Sequence, residues 1–274
     1  MADMKFTFCA MLFSVLLGFT FGAVCRGAEP PAWIVRATLS AGDPVERRYA
    51  GRVSDRLERW VSELGAVAVA VADERTERAI PSEVALLVLP YNPYPTSRQL
   101  TAFKAFLDRG GKMAVFYSAS DKLAGLMDMR LGPYMAASPE RQWHEFKFNR
   151  LAPPHVPASV RQTSNNIRPA LPRPGRSRVI ARWVPTVANA EGDPAWTASD
   201  KGIWMSHVLL DDGDPRVKKQ MLLALLAPYM PEIWPRAARR LLTDASRLRP
   251  GMTFEESLTH VRRRALSAGK TARV

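Results

Sequence analysis

The stretch VALLVLPYNPYPTSRQLTAFKAFLDRGGKMAVFYSASDKLAGLM, residues 84–127, decides the fold. Its first six residues form a continuous apolar run, as expected of a strand covered on both faces. A loop of tyrosines, asparagine and prolines comes next, Tyr91 to Pro95. Leu100, Phe103, Phe106 and Leu107 then recur at helical spacing, with Ser97 as the expected cap and Gly110-Gly111 as the stop. Residues 112–117, KMAVFY, return to a strand. Ser120-Asp121 then opens a further helix over Lys122–Met129. Strand, helix, strand and helix joined by short links predict parallel strands wrapped by helices.

Working outward in the N-terminal direction, residues 66–72 (AVAVAVA) predict a second strand and 32–38 (AWIVRAT) a first. Between them Asp43-Pro44 opens a helix whose apolar stripe is Val53, Leu57, Trp60, Val61 and Leu64, closed by Gly65. In the C-terminal direction the pattern changes. Residues 131–178 hold eight of the 22 prolines, and only residues 143–149 (WHEFKFN) alternate like an antiparallel strand. This stretch predicts an irregular Pro-rich insertion. Regular structure resumes with strands at 178–184 and 202–210, a helix over Arg216–Tyr229 and another over Ile233–Ser246. The fold class read from this order is α/β: a doubly wound, mostly parallel sheet with helices on both faces. No internal repeat is visible.

The termini carry their own signals. Lys5, the apolar run Phe6–Ala23 and the small residues near Cys25-Arg26-Gly27-Ala28 match a removable export signal over 1–27. The mature domain is then 28–246, with a basic tail, 247–274, carrying a short helix near Phe254–Ala265. The expected location is periplasmic or secreted. Contact with a membrane is expected only through an uncleaved N-terminus or lipid on Cys25. Both cysteines, Cys9 and Cys25, lie at or within this leader. The remainder therefore has no disulfide, no thiolate nucleophile and no Cys-ligated metal. The net charge of +13 stays strongly positive without residues 1–27. The arginines are scattered rather than clustered, which reads as a solvated basic surface and not as a nucleic-acid interface.

In an open parallel sheet, ligands sit beyond the carboxyl ends of the strands. Those ends carry Thr38–Gly42, Asp73, Tyr91–Tyr94, Ser118–Asp121 and His207. The candidate ligand-binding residues are Tyr91, Asn92, Tyr94, Ser118, Asp121 and His207. Tyr91, Tyr94, Trp183, Trp196 and Trp204 are candidate stacking faces for a sugar. The four histidines are scattered without metal-ligand spacing, and no phosphate-binding glycine loop occurs, so neither a metal nor a cofactor is expected.

Two stretches, 84–127 and GIWMSHVLLDDGDPRVKKQMLLALL (202–226), together resemble the class I glutamine amidotransferase fold, a flavodoxin-like architecture. The resemblance implies a nucleophilic cysteine at the turn after the fourth strand, a histidine after the late strand and a glutamate two residues beyond it. Here the turn reads Tyr117-Ser118-Ala119-Ser120, His207 matches, and Leu209 stands where the glutamate would be. Further phrases (RVIARW at 178–183, QTSNNIRP at 162–169, GDPA at 192–195, ASDKG at 198–202, HVLL at 207–210 and PEIW at 231–234) resemble the amidotransferase-like domain that precedes glycosyl-hydrolase-like family-ten barrels in exported bacterial proteins. The resemblance implies a non-catalytic domain linked to carbohydrate processing, binding a saccharide or a partner glycosidase. Two alternatives stand beside it. One is a hydrolase using Ser118 or Ser120 with His207, Asp211 or Asp212 orienting the base. The other is the N-terminal part of a longer glycosyl-hydrolase-like protein.

Overall fold

The computed structural model describes residues 32–139, 141–187, 190–247 and 256. The leader, Cys25 and nearly all of the tail lie outside the described residues. Among the described residues thirteen strands and five α-helices succeed one another. Strand β1 is Ala32–Arg36, helix α1 is Pro44–Glu63 and strand β2 is Ala68–Ala72. A single 3₁₀ turn, Asp73–Glu77, leads to β3 (Leu86–Leu89), α2 (Ser97–Asp108), β4 (Lys112–Val115) and α3 (Asp121–Leu126). Six strands span the Pro-rich region and its flank: β5 (Met129–Leu131), β6 (Met135–Ala136), β7 (Trp143–Phe148), β8 (Ser159–Ser164), β9 (Asn166–Ile167) and β10 (Ala170–Pro172). The chain closes with β11 (Ser177–Trp183), β12 (Pro194–Ser199), β13 (Gly202–Met205), α4 (Pro215–Leu226) and α5 (Ile233–Arg247).

The central sheet has the order β2-β1-β3-β4-β13-β12-β11-β7-β8. The first five strands are mutually parallel, and each later strand is antiparallel to its neighbour. Alternation along the strands sorts the core into two layers. Ile34, Val88, Ala114 and Ile203 face Leu57, Trp60 and Val61 of α1 and Met221, Leu222 and Leu225 of α4, with Ile233 of α5 beside them. Trp33, Leu87, Met113 and Trp204 face Phe103 and Phe106 of α2 and Leu123 of α3. This is the expected doubly wound α/β sheet with helices on both faces.

Local chemistry fixes the helix starts. The Asp43 carboxylate accepts the N–H groups of Val45 and Glu46 at 2.7 and 2.8 Å, and Pro44 fills the first turn. In α2 the cap is Thr96, one residue before the expected Ser97. Thr96 and Gln99 exchange backbone and side-chain hydrogen bonds in a capping box. Ser120 caps α3 as expected, accepting Leu123 N–H at 3.2 Å. That helix ends at Leu126 rather than Met129, because Met129 begins β5 and pairs with Pro172.

The C-terminal half corrects several expectations. Residues 131–178 are not an irregular insertion: they supply β7 and β8 to the central sheet and four short strands to two small sheets. The prolines fall at strand ends or between strands, where a missing N–H breaks no ladder. Residues 194–199, for which the sequence predicts no element, are β12, one of the most buried strands of the sheet. The strand expected over 202–210 stops at Met205. Beyond it the backbone is held by side chains. Gln162 donates to Val208 O at 2.9 Å and accepts Leu210 N–H at 3.0 Å, and Lys218 donates to Leu210 O at 2.8 Å. Among the described residues no helix is long and apolar enough to cross a membrane, and no group of three or more metal-ligating side chains occurs.

Candidate functional site

The neighbours β1 and β3 lead in opposite directions, to β2 at the edge and to β4 inward, so the ends of β1 and β3 mark the point where the strand order reverses. Beside that point, beyond the carboxyl ends of β3, β4 and β13, opens a crevice of about 220 Å³. It is lined by Tyr49 of α1, Tyr91 after β3, Tyr117 after β4, Tyr134, Asn166 of β9, and His207-Val208 after β13. Four of the six tyrosines of the whole chain thus converge on one small space. Tyr91 and Tyr117 stack, with centroids 5.2 Å apart and planes inclined by 9°, and Tyr49 meets Tyr91 edge-on at 5.3 Å. Tyr134 is 57% exposed and forms the rim.

The Tyr49, Tyr91 and Tyr117 phenols remain protonated donors. Burial raises the Tyr49, Tyr91 and Tyr117 hydroxyls above the ordinary tyrosine range. At Tyr91 a hydrogen bond donated to Glu46 Oε1 at 2.7 Å adds to the rise. His207 is 9% exposed, and its Nδ1 lies 3.1 Å from the Val208 carbonyl. Burial lowers its pKa to about 4, although the Val208 carbonyl and the Asp212 charge oppose the fall, so the imidazole is neutral near pH 7. Asp212 is itself bound by the wholly buried Lys218 ammonium at 2.8 Å and by Thr163 N–H. That pair, with Gln162, fixes the segment from which His207 projects.

The floor beneath the loops is rigid for a separate reason. Asp73, 1% exposed, accepts the backbone N–H groups of Thr38, Leu39 and Ser40 at 2.9–3.0 Å and the Ser40 hydroxyl at 2.6 Å. Burial alone would raise this carboxyl. The hydrogen bonds from Leu39, Ser40 and Thr38 outweigh burial and hold it below its usual range. Asp73 is therefore an anchor of the loop after β1.

The structure brings some of the expected residues together and separates others. Tyr91 and His207 line the crevice. Tyr94 is exposed, and its backbone N–H reaches Ser40 O at 3.1 Å. Asn92 is buried, donating to Ser40 Oγ at 3.3 Å, and does not line the crevice. Ser118 is fully buried, donating to Pro93 O at 3.3 Å while accepting Ser120 N–H at 3.3 Å. Asp121 sits on the surface, 3.7 Å from Arg168. Trp183, Trp196 and Trp204 are core residues and cannot stack on a ligand. Asp211 is 70% exposed at its side chain and pairs with Arg56 at 2.9 Å, away from His207. No hydrogen bond joins His207 to Ser118, Ser120 or Asp211, and Leu209, in the place of the glutamate, is packed into the core. A triad needs nucleophile, base and orienting group in hydrogen-bond contact. The described residues hold no such relay.

Tyr49, Tyr117, Tyr134, Asn166 and Val208 are site residues that sequence reasoning does not select. The signal for Tyr117 is its place at the end of the fourth strand. Asn166 lies inside the phrase QTSNNIRP. Tyr49 and Tyr134 carry no local mark, since only tertiary contact brings a helix and a post-β5 loop to the same crevice.

The chain is similar to several solved structures. A ThuA-like protein from Bacteroides uniformis superposes with a TM-score of 0.50 at 15% identity, over 79% of this chain and 93% of that one. A cold-adapted β-galactosidase from Rahnella sp. R3 gives 0.49 at 13% identity, over 72% of this chain and 31% of that one. A glutamine amidotransferase from Thermotoga maritima gives 0.43 at 13% identity, over 80% and 98%. At such identities the likeness concerns the fold. No protein-family model and no curated protein matches the chain.

Proposed function

We propose that this protein is an exported, non-catalytic amidotransferase-like domain of carbohydrate processing that binds a saccharide in the tyrosine crevice. One observation carries the reading: the crevice at the strand ends holds four tyrosines and a neutral histidine, while the turn that would house a nucleophile is closed around a buried Ser118. Aromatic rings present apolar faces to sugar C–H groups, and phenol, amide and imidazole edges present the hydrogen bonds that sugar hydroxyls need. A partner glycosidase would supply the acid–base chemistry this chain lacks, which fits the resemblance to domains preceding glycosyl-hydrolase-like barrels.

The test is calorimetric titration of the purified protein with a panel of mono- and oligosaccharides, run beside a reducing-end assay for hydrolysis. Binding with no new reducing ends is the expected result, and Tyr117→Ala weakens it by about tenfold, the size of one lost aromatic contact. Turnover abolished by Ser118→Ala and by His207→Ala would establish the hydrolase instead. No heat or competition with any saccharide would remove the carbohydrate reading.

A further inference from the structure

We infer that the crevice accepts an uncharged, polyhydroxylated ring and that His207 Nε2 accepts a hydrogen bond from one of its hydroxyls. This rests on the saccharide reading and narrows it.

The imidazole comes first. Nδ1 faces a backbone carbonyl at 3.1 Å, and a carbonyl only accepts, so Nδ1 carries the proton. In the neutral ring Nε2 is then a bare acceptor. Nε2 has no partner among the described residues, yet it is absent from the fully buried unpaired atoms, which are Ser54 Oγ, Asn92 Oδ1, Trp196 Nε1 and Trp204 Nε1. It therefore meets open space, and the space His207 lines is the crevice. Nε2 is thus an acceptor open to the crevice, and a ligand hydroxyl is a donor that fits it. The burial that keeps His207 neutral down to about pH 4 keeps this acceptor in place at any physiological pH.

Charge narrows the ligand further. Among the described residues no carboxylate, ammonium or guanidinium lines the crevice. The charged groups around it are already engaged. Glu46 receives the Tyr91 hydroxyl and Gly42 N–H. Arg168 donates to Ala119 O at 3.1 Å and Gly132 O at 3.4 Å and lies near Asp121. Arg56 is held by Asp211 and Leu209 O, Asp212 by Lys218, and Arg52 lies over the Tyr49 ring at 5.8 Å. A ligand carboxylate, phosphate or ammonium would be desolvated with no opposite charge to meet it. Glutamine, as a zwitterion, fails on both ends. The volume of about 220 Å³ lies below the roughly 300–1,000 Å³ of drug-sized sites, which suits a single ring.

The experiment is titration of the full protein with methyl glycosides of glucose, galactose and mannose, set against glucuronate, glucose 6-phosphate and glutamine. At least one neutral glycoside is expected to bind at least tenfold more tightly than each charged compound. His207→Ala weakens that glycoside by about tenfold, whereas His207→Gln, which keeps a carbonyl acceptor, stays within about threefold of wild type. A series of monodeoxy glycosides on the wild-type protein reads the same contact without any variant: one deoxy position should reproduce the His207→Ala loss. Tighter binding of glucuronate or the phosphate would overturn the uncharged-ring inference while leaving a saccharide site in place. Unchanged affinity in His207→Ala together with a flat deoxy series would remove the Nε2 contact. Binding of glutamine alone, or of nothing in the panel, would take the saccharide reading with it.

Discussion

The two halves of the central sheet obey different rules. In the parallel half, β2-β1-β3-β4-β13, strands β3 and β13 are apolar along their whole length because helices cover both faces. In the outer antiparallel strands β7 and β8, inward residues such as Trp143, Phe146 and Val160 alternate with exposed His144, Lys147 and Arg161. The first half ends in loops that converge above the strand ends and make a crevice. The second half supports that crevice through Gln162 of β8, which holds the His207 segment from behind, while Asn166 reaches it from the small sheet of β6 and β9. Coverage on both faces yields a rigid platform, and the half-covered extension braces one loop of it.

The largest effect is expected at the seam between the halves. Gly202 belongs to β13, which is parallel to β4 on one side and antiparallel to β12 on the other. A Cβ there would stand 1.8 Å from Met113 O, at a backbone φ of +139°. Gly202→Ala should lower stability by more than about 4 kcal/mol and leave little soluble protein. A urea midpoint near wild type would show that the two halves do not share a fixed joint.

A smaller effect sharpens the comparison at the strand ends. The folded pKa of His207 is about 4 against an ordinary value of 6.5. Between those values the unfolded chain takes up a proton that the folded site refuses, so stability falls as pH falls through that window. His207 should contribute a loss of roughly 3 kcal/mol by the acid end. Unfolding of wild type and His207→Gln measured from pH 6.5 to pH 4 checks this, since the variant lacks that share of the slope. Parallel slopes would mean that His207 is more solvated than its burial implies.

The smallest effect lies on the uncovered face. Lys147→Ala on β7 should change stability by no more than about 0.5 kcal/mol. A larger loss in thermal unfolding would mean that this face is covered by something, and the contrast between the halves would then weaken.

Legibility divides along the same line. Val84–Met127 announces two strands and two helices because each is marked by its immediate neighbours: apolar runs, helical stripes, a Thr96–Gln99 box displaced by one residue from the expected cap, and Ser120. Strand β12 escapes the sequence because PAWTAS carries little apolar weight; its burial comes from the strands on either side and from β10. Strand β8 escapes it because SVRQTS sits among prolines and buries Gln162 and Ser164, and Gln162 is satisfied largely by Val208 and Leu210, which are distant in sequence. At the site, Tyr91 and His207 are visible as residues just past strands. Ser118 is visible by the same logic, yet it faces inward to the Pro93 carbonyl.

By itself the sequence determined the parallel frame, since periodicity and caps act between residues a few positions apart. It also determined the chemistry that is missing, since no folding supplies a thiolate after residue 25 or a carboxylate at Leu209. Only the tertiary structure decided which side chains meet. Residues 49, 91, 117, 134, 166 and 207 lie on six separate segments, and what gathers them is the order of the strands and the loops anchored by Asp73, Gln162 and Lys218. Convergence of this kind depends on burial and long-range hydrogen bonds, which leave no pattern between neighbours along the chain.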